Sequence, residues 1–317
     1  MQSETQLSVE SVECCICGNE PTTVVGRGED YEYHTSIDTF SAVQCDSCSL
    51  IYLNPRPSVK EFEKIYPPNY HAFNFSPKQY GFVYKIRAKL EANRSLSRCK
   101  GLGDDARILD VGCGDGFHLN LLREYGNKKW TLEGIDLDKR AVEAARKSGL
   151  NVHLGSVEEI HLPEESFDLI FMIQTIEHVE KPSEILIAIF KLLKKGGKLV
   201  IVTDNTDSID FKIYKNRYWG GYHFPRHWNL FNQKSLSKLA VKTGFEVEGL
   251  STIVSPVNWV YSIHNSLVGH KQPYWLIERF TLKSTVSLFV FTVLDFVLQK
   301  LGKGALLQAT LRKPISN

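Results

Sequence analysis

Residues 107–116 read RILDVGCGDG, and this stretch decides the fold. Its apolar start, Ile108 and Leu109, predicts a buried strand that ends at Asp110. Glycines then occupy every second position, and residues 117–125 predict a helix. Glycine lets the backbone turn sharply and approach a ligand, because it has no Cβ, and the N–H groups at the start of the helix point to the same place. A tight turn in an unrelated α/β protein is the alternative.

Later segments continue the alternation of strand and helix. A second strand ends in GIDLD at 134–138, where Asp136 lies 26 residues after Asp110. That offset is near the one at which an acidic side chain accepts hydrogen bonds from ribose hydroxyls. A helix at 139–147 and strands at 152–155 and 167–172 follow, and a turn at 195–197 precedes a fifth strand at 198–202.

In this order and at this spacing, DVGCGDG, GIDLD, FDLIFMIQTIEHVEKP and LLKKGGKLVIV resemble the class I S-adenosylmethionine (SAM)-dependent methyltransferases. The resemblance implies an α/β fold with a Rossmann-like seven-stranded sheet and SAM as cofactor. Ser156 takes the place of an acidic residue that contacts adenine in this family. The residues that the resemblance places at SAM are Asp110, Gly112, Cys113, Gly114, Gly116, Asp136, Leu137, Ser156, Val157, Gln174, Thr175 and His178.

The pair Glu177-His178 resembles part of a Glu-x-x-Glu-His run in ubiquinone-biosynthesis methyltransferases, where the run is said to hold a metal. The first position here is Gln174, so one anionic ligand for a divalent cation is missing. The alternative is that Glu177 and His178 orient the loop after strand four. The pair is predicted to begin the next helix.

Composition bounds the class of protein. The 317 residues are 43% hydrophobic and 23% charged, with a net charge of +2, which is ordinary for a globular protein and favours no nucleic-acid partner. Residues 1–13 are polar and acidic and do not resemble a signal peptide. Seven cysteines without such a signal predict a reducing, cytoplasmic location, with peripheral membrane contact as a variant.

Two Cys-x-x-Cys pairs near the amino terminus predict a zinc ribbon with structural Zn²⁺, and reduced, buried cysteines are the alternative. Strands are predicted at 22–25 and 40–44, and Cys15 is predicted to be a bystander. Residues 1–55 contain nine acidic residues and one basic residue, Arg27, which gives a net charge of about −8. A surface with this charge repels phosphates. We therefore predict a structural or substrate-lid module. The metal ligands are Cys14, Cys17, Cys45 and Cys48.

The next segment is predicted to be helical, at 58–66 and 81–99. Its aromatic side chains either pack between domains or cover the SAM pocket. They are Tyr66, Tyr70, His71, Phe73 and Phe75.

The loop at 204–231, after strand five, is rich in aromatic residues and predicts an acceptor pocket. Its run YHFPRH at 222–227 resembles the PRH stretch of zinc-ribbon methyltransferases found with bacterial sugar and surface-polysaccharide genes. His227 is the first candidate for general base, followed by His223 and Tyr222. Arg226 is predicted to hold an anionic group of the acceptor. The alternative is that these side chains only pack the loop.

A helix at 235–243, strand six at 245–254 and strand seven at 305–312 complete the predicted core. The interval 256–304 is then an insertion, and its run VSLFVFTVLDFVLQKL at 286–301 is apolar on most sides. Three interpretations remain open: a helix packed on the core, a dimer interface, or a helical hairpin at 273–301 that enters a membrane surface. The oligomeric state is not predicted.

The predicted domains are a zinc ribbon (1–55), a helical linker or lid (56–103), a SAM-binding core (104–255), the insertion (256–304), and the last strand with a tail (305–317). The predicted function is methyl transfer from SAM to a small molecule, a sugar, glycolipid or cell-envelope glycan precursor. An RNA methyltransferase with a zinc module and a non-catalytic SAM-binding scaffold are the alternatives. An RNA enzyme predicts a basic face and an Asn-Pro-Pro-Tyr-like turn, and the sequence shows neither.

Overall fold

A computed structural model describes residues 6–67 and 77–315, without the side chains of 77–87. Of the predicted aromatic cluster only Tyr66 falls within this part of the chain; Tyr70, His71, Phe73 and Phe75 lie outside it. The strands are β1 Val9–Glu10, β2 Thr22–Gly28, β3 Phe40–Cys45, β4 Ile51–Leu53, β5 Arg56–Pro57, β6 Arg107–Val111, β7 Thr131–Asp136, β8 Asn151–Leu154, β9 Phe167–Ile173, β10 Leu193–Asp204, β11 Asn229–Leu230, β12 Glu246–Ile253 and β13 Leu306–Arg312.

Two helices, at 117–125 and 139–147, begin and end where the sequence predicts them. Residues 59–61 and 220–222 form 3₁₀ turns. The helices are α1 Phe62–Ile65, α2 Pro77–Arg98, α3 Phe117–Tyr125, α4 Lys139–Lys147, α5 Pro182–Leu192, α6 Ile209–Tyr214, α7 Gln233–Lys242, α8 Val257–Gly269, α9 Tyr274–Ile277 and α10 Thr285–Lys300.

The large sheet has seven strands in the order β12–β13–β10–β9–β6–β7–β8. β13 is antiparallel to both of its neighbours, and the other neighbouring pairs are parallel. The last strand of the chain therefore lies between β10 and β12. This arrangement confirms the predicted seven-stranded, Rossmann-like sheet.

The middle of this sheet is covered on both faces. Residues 169–172 of β9 are all fully buried, as expected for a parallel strand with helices on both sides. β7 follows β6 in the chain and lies on one side of it, whereas β9, which follows β8, lies on the other side. The order of the strands therefore reverses at β6. Ligands of open α/β sheets bind at the carboxyl ends of strands at such a point.

Three predicted boundaries were wrong. The predicted turn at 195–197 is a bulge within β10, since its pairing with β9 shifts between Leu193 and Lys198. The helix predicted to begin at Glu177 begins instead at Pro182, whose ring suits the first turn of a helix. Glu177 and His178 lie in a turn before it. The helix predicted at 58–66 is a 3₁₀ turn followed by the short α1.

A second, four-stranded sheet at the amino terminus has the order β11–β4–β3–β2. Its edge strand β11 comes from the loop at 204–231 and pairs with β4, which lies more than 170 residues earlier in the chain. Asn229 pairs with Tyr52, and the backbone N–H of Leu53 donates to the carbonyl of Trp228 at 3.0 Å. The predicted acceptor loop is therefore built into the amino-terminal sheet.

The interval between β12 and β13 contains α8, α9 and α10. α10 packs through one side, where Phe291 stacks on Trp259 with ring centroids 5.8 Å apart. None of the helices in residues 6–67 and 77–315 combines the length and the apolar character that a membrane-spanning helix needs.

Candidate active site

The loop after β6 holds three glycines in left-handed conformations. Gly112 has a φ of 76°, and a Cβ there would overlap the side chain of Thr175. The loop after β9 therefore packs directly against the glycine loop. Gly114 has a φ of 55°, and no described atom lies within 4 Å of the Cβ that it lacks. Gly114 thus faces open space at the carboxyl end of β6, where a ligand would lie.

Asp136, at the end of β7, is bonded to this loop. One carboxylate oxygen accepts from the backbone N–H of Gly114 at 2.7 Å, and the other accepts from that of Asp138 at 2.8 Å. Burial raises the pKa of Asp136, although these two N–H donors lower it. Each oxygen keeps a further lone pair, so hydroxyl groups of a ribose fit as donors.

Asp110 is the buried acid of the glycine loop. Its side chain is 1% exposed, and its Oδ2 accepts no hydrogen bond from any described residue. Burial and the nearby charge of Asp136 raise the pKa of Asp110 to about 8. A buried carboxyl oxygen without a donor is costly. A cationic ligand that donates hydrogen bonds, such as the amino-acid part of SAM, fits this position.

The residues predicted near adenine follow neighbouring strands. Leu137 comes after β7 and is 65% exposed, while Val157 comes after β8 and is buried. Ser156 is half-buried beside Val157. An exposed leucine at the mouth of a ligand site gives an aromatic base an apolar surface to cover. Cys113 was also predicted to contact SAM, but its side chain packs in a hydrophobic cluster with Leu119.

Glu177 joins the loop after β9 to the loop at 204–231. Its Oε1 accepts from Gln174 and its Oε2 from Thr203 at 2.8 Å, and its backbone carbonyl accepts from Trp228 N at 2.7 Å. The side chain has no exposed surface, and burial raises its pKa to about 7. These contacts are those of a residue that orients the loop.

His178 lies beside Glu177 and is half-buried. Its Nδ1 is 2.9 Å from the hydroxyl of Tyr66 and 3.2 Å from the carbonyl of Arg226. Burial and the charge on His227 hold the pKa of His178 well below its ordinary value. Ligand atoms of Glu177, His178 and His227 lie within 4.8 Å of one another. Each Glu177 oxygen already accepts one hydrogen bond, and no step of the proposed function uses a metal at this group.

His227 is the centre of this cluster. Its Nδ1 lies 2.8 Å from the carbonyl of Gly221 and 3.1 Å from Oδ2 of Asp204, the last residue of β10. Burial lowers the pKa of His227, but Asp204 and Glu177 outweigh it and hold the pKa above its ordinary value. With its proton on Nδ1, the ring offers Nε2 as an acceptor. That tautomer is the one a general base requires.

Two predicted catalytic assignments are wrong. Arg226 has no exposed surface, and its guanidinium donates to Asp30, Ile65 O and Phe224 O, so it cannot reach an anionic acceptor. Tyr222 is 1% exposed, and its hydroxyl donates to the carbonyl of Lys215 at 2.6 Å. Burial also raises the pKa of Tyr222, which disfavours a phenolate base. Both side chains hold the loop in place.

His223 is a neighbour of His227 rather than a second base. Its Nδ1 lies 2.9 Å from a carboxylate oxygen of Glu32, and its ring centroid is 5.0 Å from that of His227. Burial and the positive charge of Arg226 keep the pKa of His223 well below its ordinary value. His223 therefore stays neutral and links the amino-terminal unit to the cluster.

Among the described residues, a cavity of about 800 Å³ is linked to the histidine cluster only through Glu32 and Tyr33, and neither the histidines of that cluster nor the glycine loop line it. Glu32 and Tyr33 form part of its wall and also contact His223. Tyr261 and His264 from α8 form a second side. The region of α9 supplies the third, with Trp275 and neighbouring charged residues.

The four predicted metal ligands come together at the amino terminus. The sulfurs of Cys14, Cys17, Cys45 and Cys48 all lie within 4.8 Å of one another. Zn–S bonds of about 2.3 Å place tetrahedral thiolates about 3.8 Å apart, so the cluster fits Zn²⁺. The backbone N–H of Leu50 also approaches the sulfur of Cys48 at 3.5 Å. Cys15 does not belong to this group of four sulfurs.

The family model of a methyltransferase domain matches residues 84–250, more than half of the chain. The chain belongs to the class I SAM-dependent methyltransferases. A mitochondrial ubiquinone biosynthesis O-methyltransferase of Candida albicans is 32% identical over 137 residues, 40% of this chain and 41% of that protein. A probable SAM-dependent methyltransferase of Mycolicibacterium smegmatis is 27% identical over 164 residues, 51% of this chain and 59% of that protein. The chain spans about half the length of these curated relatives.

Among solved structures, a geranyl diphosphate C-methyltransferase from Streptomyces coelicolor aligns with a TM-score of 0.50 at 10% identity. The alignment covers 76% of this chain and 87% of that one. At this identity the likeness shows the methyltransferase fold alone. That structure contains Mg²⁺, geranyl diphosphate and S-adenosylhomocysteine (SAH).

The methyltransferase fold brings most predicted cofactor residues to one edge of the sheet. Asp110, Gly114 and Asp136 meet at the glycine loop, and Thr175 packs against it. Sequence reasoning missed Asp204 as the partner of His227. Its position supplied a signal, because an acidic residue at the carboxyl end of a central parallel strand lies at the ligand-binding edge.

Proposed function

We propose that this protein transfers a methyl group from SAM to a hydroxyl group of a small molecule, with His227 as general base. The observation that carries the proposal is the contact of His227 Nδ1 with Asp204 and Gly221 O, which leaves Nε2 as a proton acceptor. Both His227 and the glycine loop contact residues 174–178 of the turn after β9. The proposed base and the proposed cofactor site therefore lie against the same turn of the chain.

Asp110, Gly114 and Asp136 are the residues that would hold SAM. Bound SAM supplies a methyl group on a positively charged sulfur. His227 would take the proton of the acceptor hydroxyl, so that the oxygen is a stronger nucleophile. As the oxygen bonds to the methyl carbon, the bond from that carbon to sulfur would break, its electron pair would stay on sulfur, and SAH would leave. Asp204 stabilises the imidazolium that results, and Glu177 holds the surrounding loops in position.

For the acceptor we propose a sugar, a glycolipid or a cell-envelope glycan precursor. Support comes from the cavity beside His223, whose wall combines aromatic rings with charged groups. Tyr33, Tyr261 and Trp275 offer flat apolar faces on which the C–H face of a sugar ring can stack. Glu32 and Arg279 offer hydrogen-bond partners for hydroxyl groups.

We also propose that the amino-terminal unit is a zinc ribbon with a structural role. Its support is the four-cysteine cluster and the pairing of β4 with β11. Zinc bound there would stabilise a sheet that holds the acceptor loop, because a unit of this size has little core of its own. Its acidic residues Glu29, Asp30 and Glu32 face Arg217, Arg226 and His223 of that loop.

The test uses the full-length protein with radiolabelled SAM and two separate extracts, one of lipids and one of water-soluble metabolites. We expect label in a compound that carries a sugar. His227→Ala should lower turnover by about a hundredfold or more and leave the affinity for SAH within about threefold. His161→Ala, at an exposed histidine away from the site, is the matched control and should retain turnover. SAM binding without a labelled product in either extract would reject the proposal; label in RNA, added as a third substrate, without label in either extract would reject it too.

A further inference from the structure

The outer side of α10 carries a continuous apolar stripe that faces solvent. Its members recur every three or four residues, and each is between 39% and 72% exposed. A helix at a protein surface normally turns polar side chains to water, and an exposed apolar area of this extent marks an interaction site. We call these residues the outer stripe: Val286, Phe289, Val290, Val293, Leu294, Phe296, Val297 and Leu301.

The opposite side of α10 is fixed to the protein by a buried carboxylate. Asp295 has no exposed surface and accepts from the backbone N–H of Ser255 at 2.8 Å and from Trp259 Nε1 at 3.2 Å. The backbone N–H of Ala305 donates to the same carboxylate. These bonds fix which side of the helix faces outward. The one acidic residue of α10 therefore points inward and leaves the outer stripe uncharged.

Aromatic and basic residues flank the outer stripe in the sequence. Tyr274 and Trp275 are 72% and 61% exposed, and Arg279 lies over the Trp275 ring at 5.3 Å. Between residues 270 and 304, the chain has five lysines and arginines but only two acids, Glu278 and the buried Asp295. The bases are Lys271, Arg279, Lys283, Lys300 and Lys303. The segments that flank the outer stripe in the sequence are thus basic, in contrast to the acidic amino-terminal unit, and Lys300 lies over the ring of Phe296 at 5.2 Å; we call these basic residues its basic border.

We propose that the outer stripe and its basic border bind the surface of an anionic phospholipid bilayer. The stripe lies in the boundary between headgroups and acyl chains, and the lysines and arginines contact lipid phosphates. Tyr274 and Trp275 suit the interface because their rings are amphipathic. The helix lies along the membrane rather than across it, since its 16 residues are too few to span a bilayer.

Charge favours lipid over a second copy of the chain. In a twofold interface the same patch occupies both sides, so the basic border of one copy would meet that of the other. Phospholipid headgroups of opposite charge are complementary to this border. The proposal shares Trp275 and Arg279 with the wall of the acceptor cavity. It uses no residue of the SAM site or the histidine cluster, and its test measures vesicle binding and not methyl transfer.

The test measures binding of the full-length protein to vesicles. Vesicles of phosphatidylcholine alone are compared with vesicles that also contain phosphatidylglycerol, by sedimentation at low and high salt. We expect binding to the anionic vesicles that weakens as salt increases. The double variant Phe289→Gln/Phe296→Gln should weaken binding at least tenfold. The control Ile37→Gln/Val241→Gln replaces two equally exposed apolar residues elsewhere and should bind as the wild type does.

SAH affinity and circular dichroism of each variant show whether it is folded. Failure of the wild-type protein to bind either vesicle would overturn the proposal. Equal binding by wild type and Phe289→Gln/Phe296→Gln would also overturn it. So would light scattering that shows a wild-type dimer converted to monomer by the double variant, without vesicle binding, because the partner would then be a second copy.

Discussion

Asp30 and Arg226 form an ion pair in which neither side chain has any exposed surface. The two guanidinium nitrogens of Arg226 lie 2.8 and 3.2 Å from the two oxygens of Asp30. The pair joins the amino-terminal unit to the loop that carries His227. Removal of one partner leaves a buried charge without compensation, which costs far more than the loss of an exposed pair.

Asp30→Asn is therefore expected to destabilise the protein by about 3–5 kcal/mol, measured by urea unfolding. Glu29→Gln is the matched control, because Glu29 pairs with Arg217 and both side chains are about half exposed. Its cost should stay below about 1 kcal/mol. Replacement of both partners, Asp30→Leu with Arg226→Met, should recover much of the loss. Equal costs for Asp30→Asn and Glu29→Gln would contradict this account.

The same pair predicts how stability depends on pH. Burial raises the pKa of Asp30, but the charge and hydrogen bonds of Arg226 outweigh it, and the pKa lies below its ordinary value. The stabilisation is thus fully present above about pH 4, the range of an unfolded aspartate, and is lost as pH falls towards the lower native pKa. Unfolding between pH 5 and about 2 should show a steeper loss for the wild type than for Asp30→Leu/Arg226→Met. Parallel curves would exclude this role.

Asp204 is expected to set the protonation of His227. Because Asp204 helps to raise the pKa of His227, activity should increase with pH through a value above the ordinary 6.5. Asp204→Asn removes the charge, so this limb of the kcat/KM profile should move to lower pH, with kcat reduced about tenfold or more. Asp207→Asn, on the same loop, should leave the profile unchanged. A profile of Asp204→Asn that overlays the wild type would remove Asp204 from the proposed mechanism.

Loss of zinc is expected to impair methyl transfer without impairing cofactor binding. Cys45→Ser/Cys48→Ser should abolish zinc binding and lower methyl transfer at least tenfold, because β4 supports the loop that carries His227. SAH affinity should change little, since the proposed SAM residues lie on the seven-stranded sheet and its loops. Cys15→Ser provides the control and should keep one zinc per chain by elemental analysis. A double variant that still binds one zinc ion would contradict the four-cysteine assignment.

Local signals explain what the sequence predicted well. The helices at 117–125 and 139–147 have the predicted ends, because a glycine loop and the capping aspartate Asp138 mark where they begin. Strand seven was also found, since an apolar run near the end of the chain has few other places in a sheet. The four cysteines lie together, as their spacing predicts.

The features that the sequence did not predict depend on residues that are far apart in the chain. Arg226 was assigned to the acceptor because nothing near it in the sequence shows that Asp30, 196 residues away, occupies its guanidinium. The edge strand β11 has only two residues, too few for a periodic pattern. The sequence shows that α10 is apolar, but it does not show which side of the helix faces outward. That side is set by Asp295 through its contacts with Ser255 and Ala305.

Titration calorimetry with SAH tests the central claim, that the loop after β6 holds the cofactor. The zinc-loaded protein is expected to bind one SAH per chain. Asp136→Ala should weaken binding at least tenfold, because it removes both the acceptor for ribose hydroxyls and the bond to Gly114 N. If the folded wild-type protein takes up neither SAM nor SAH, the account is contradicted.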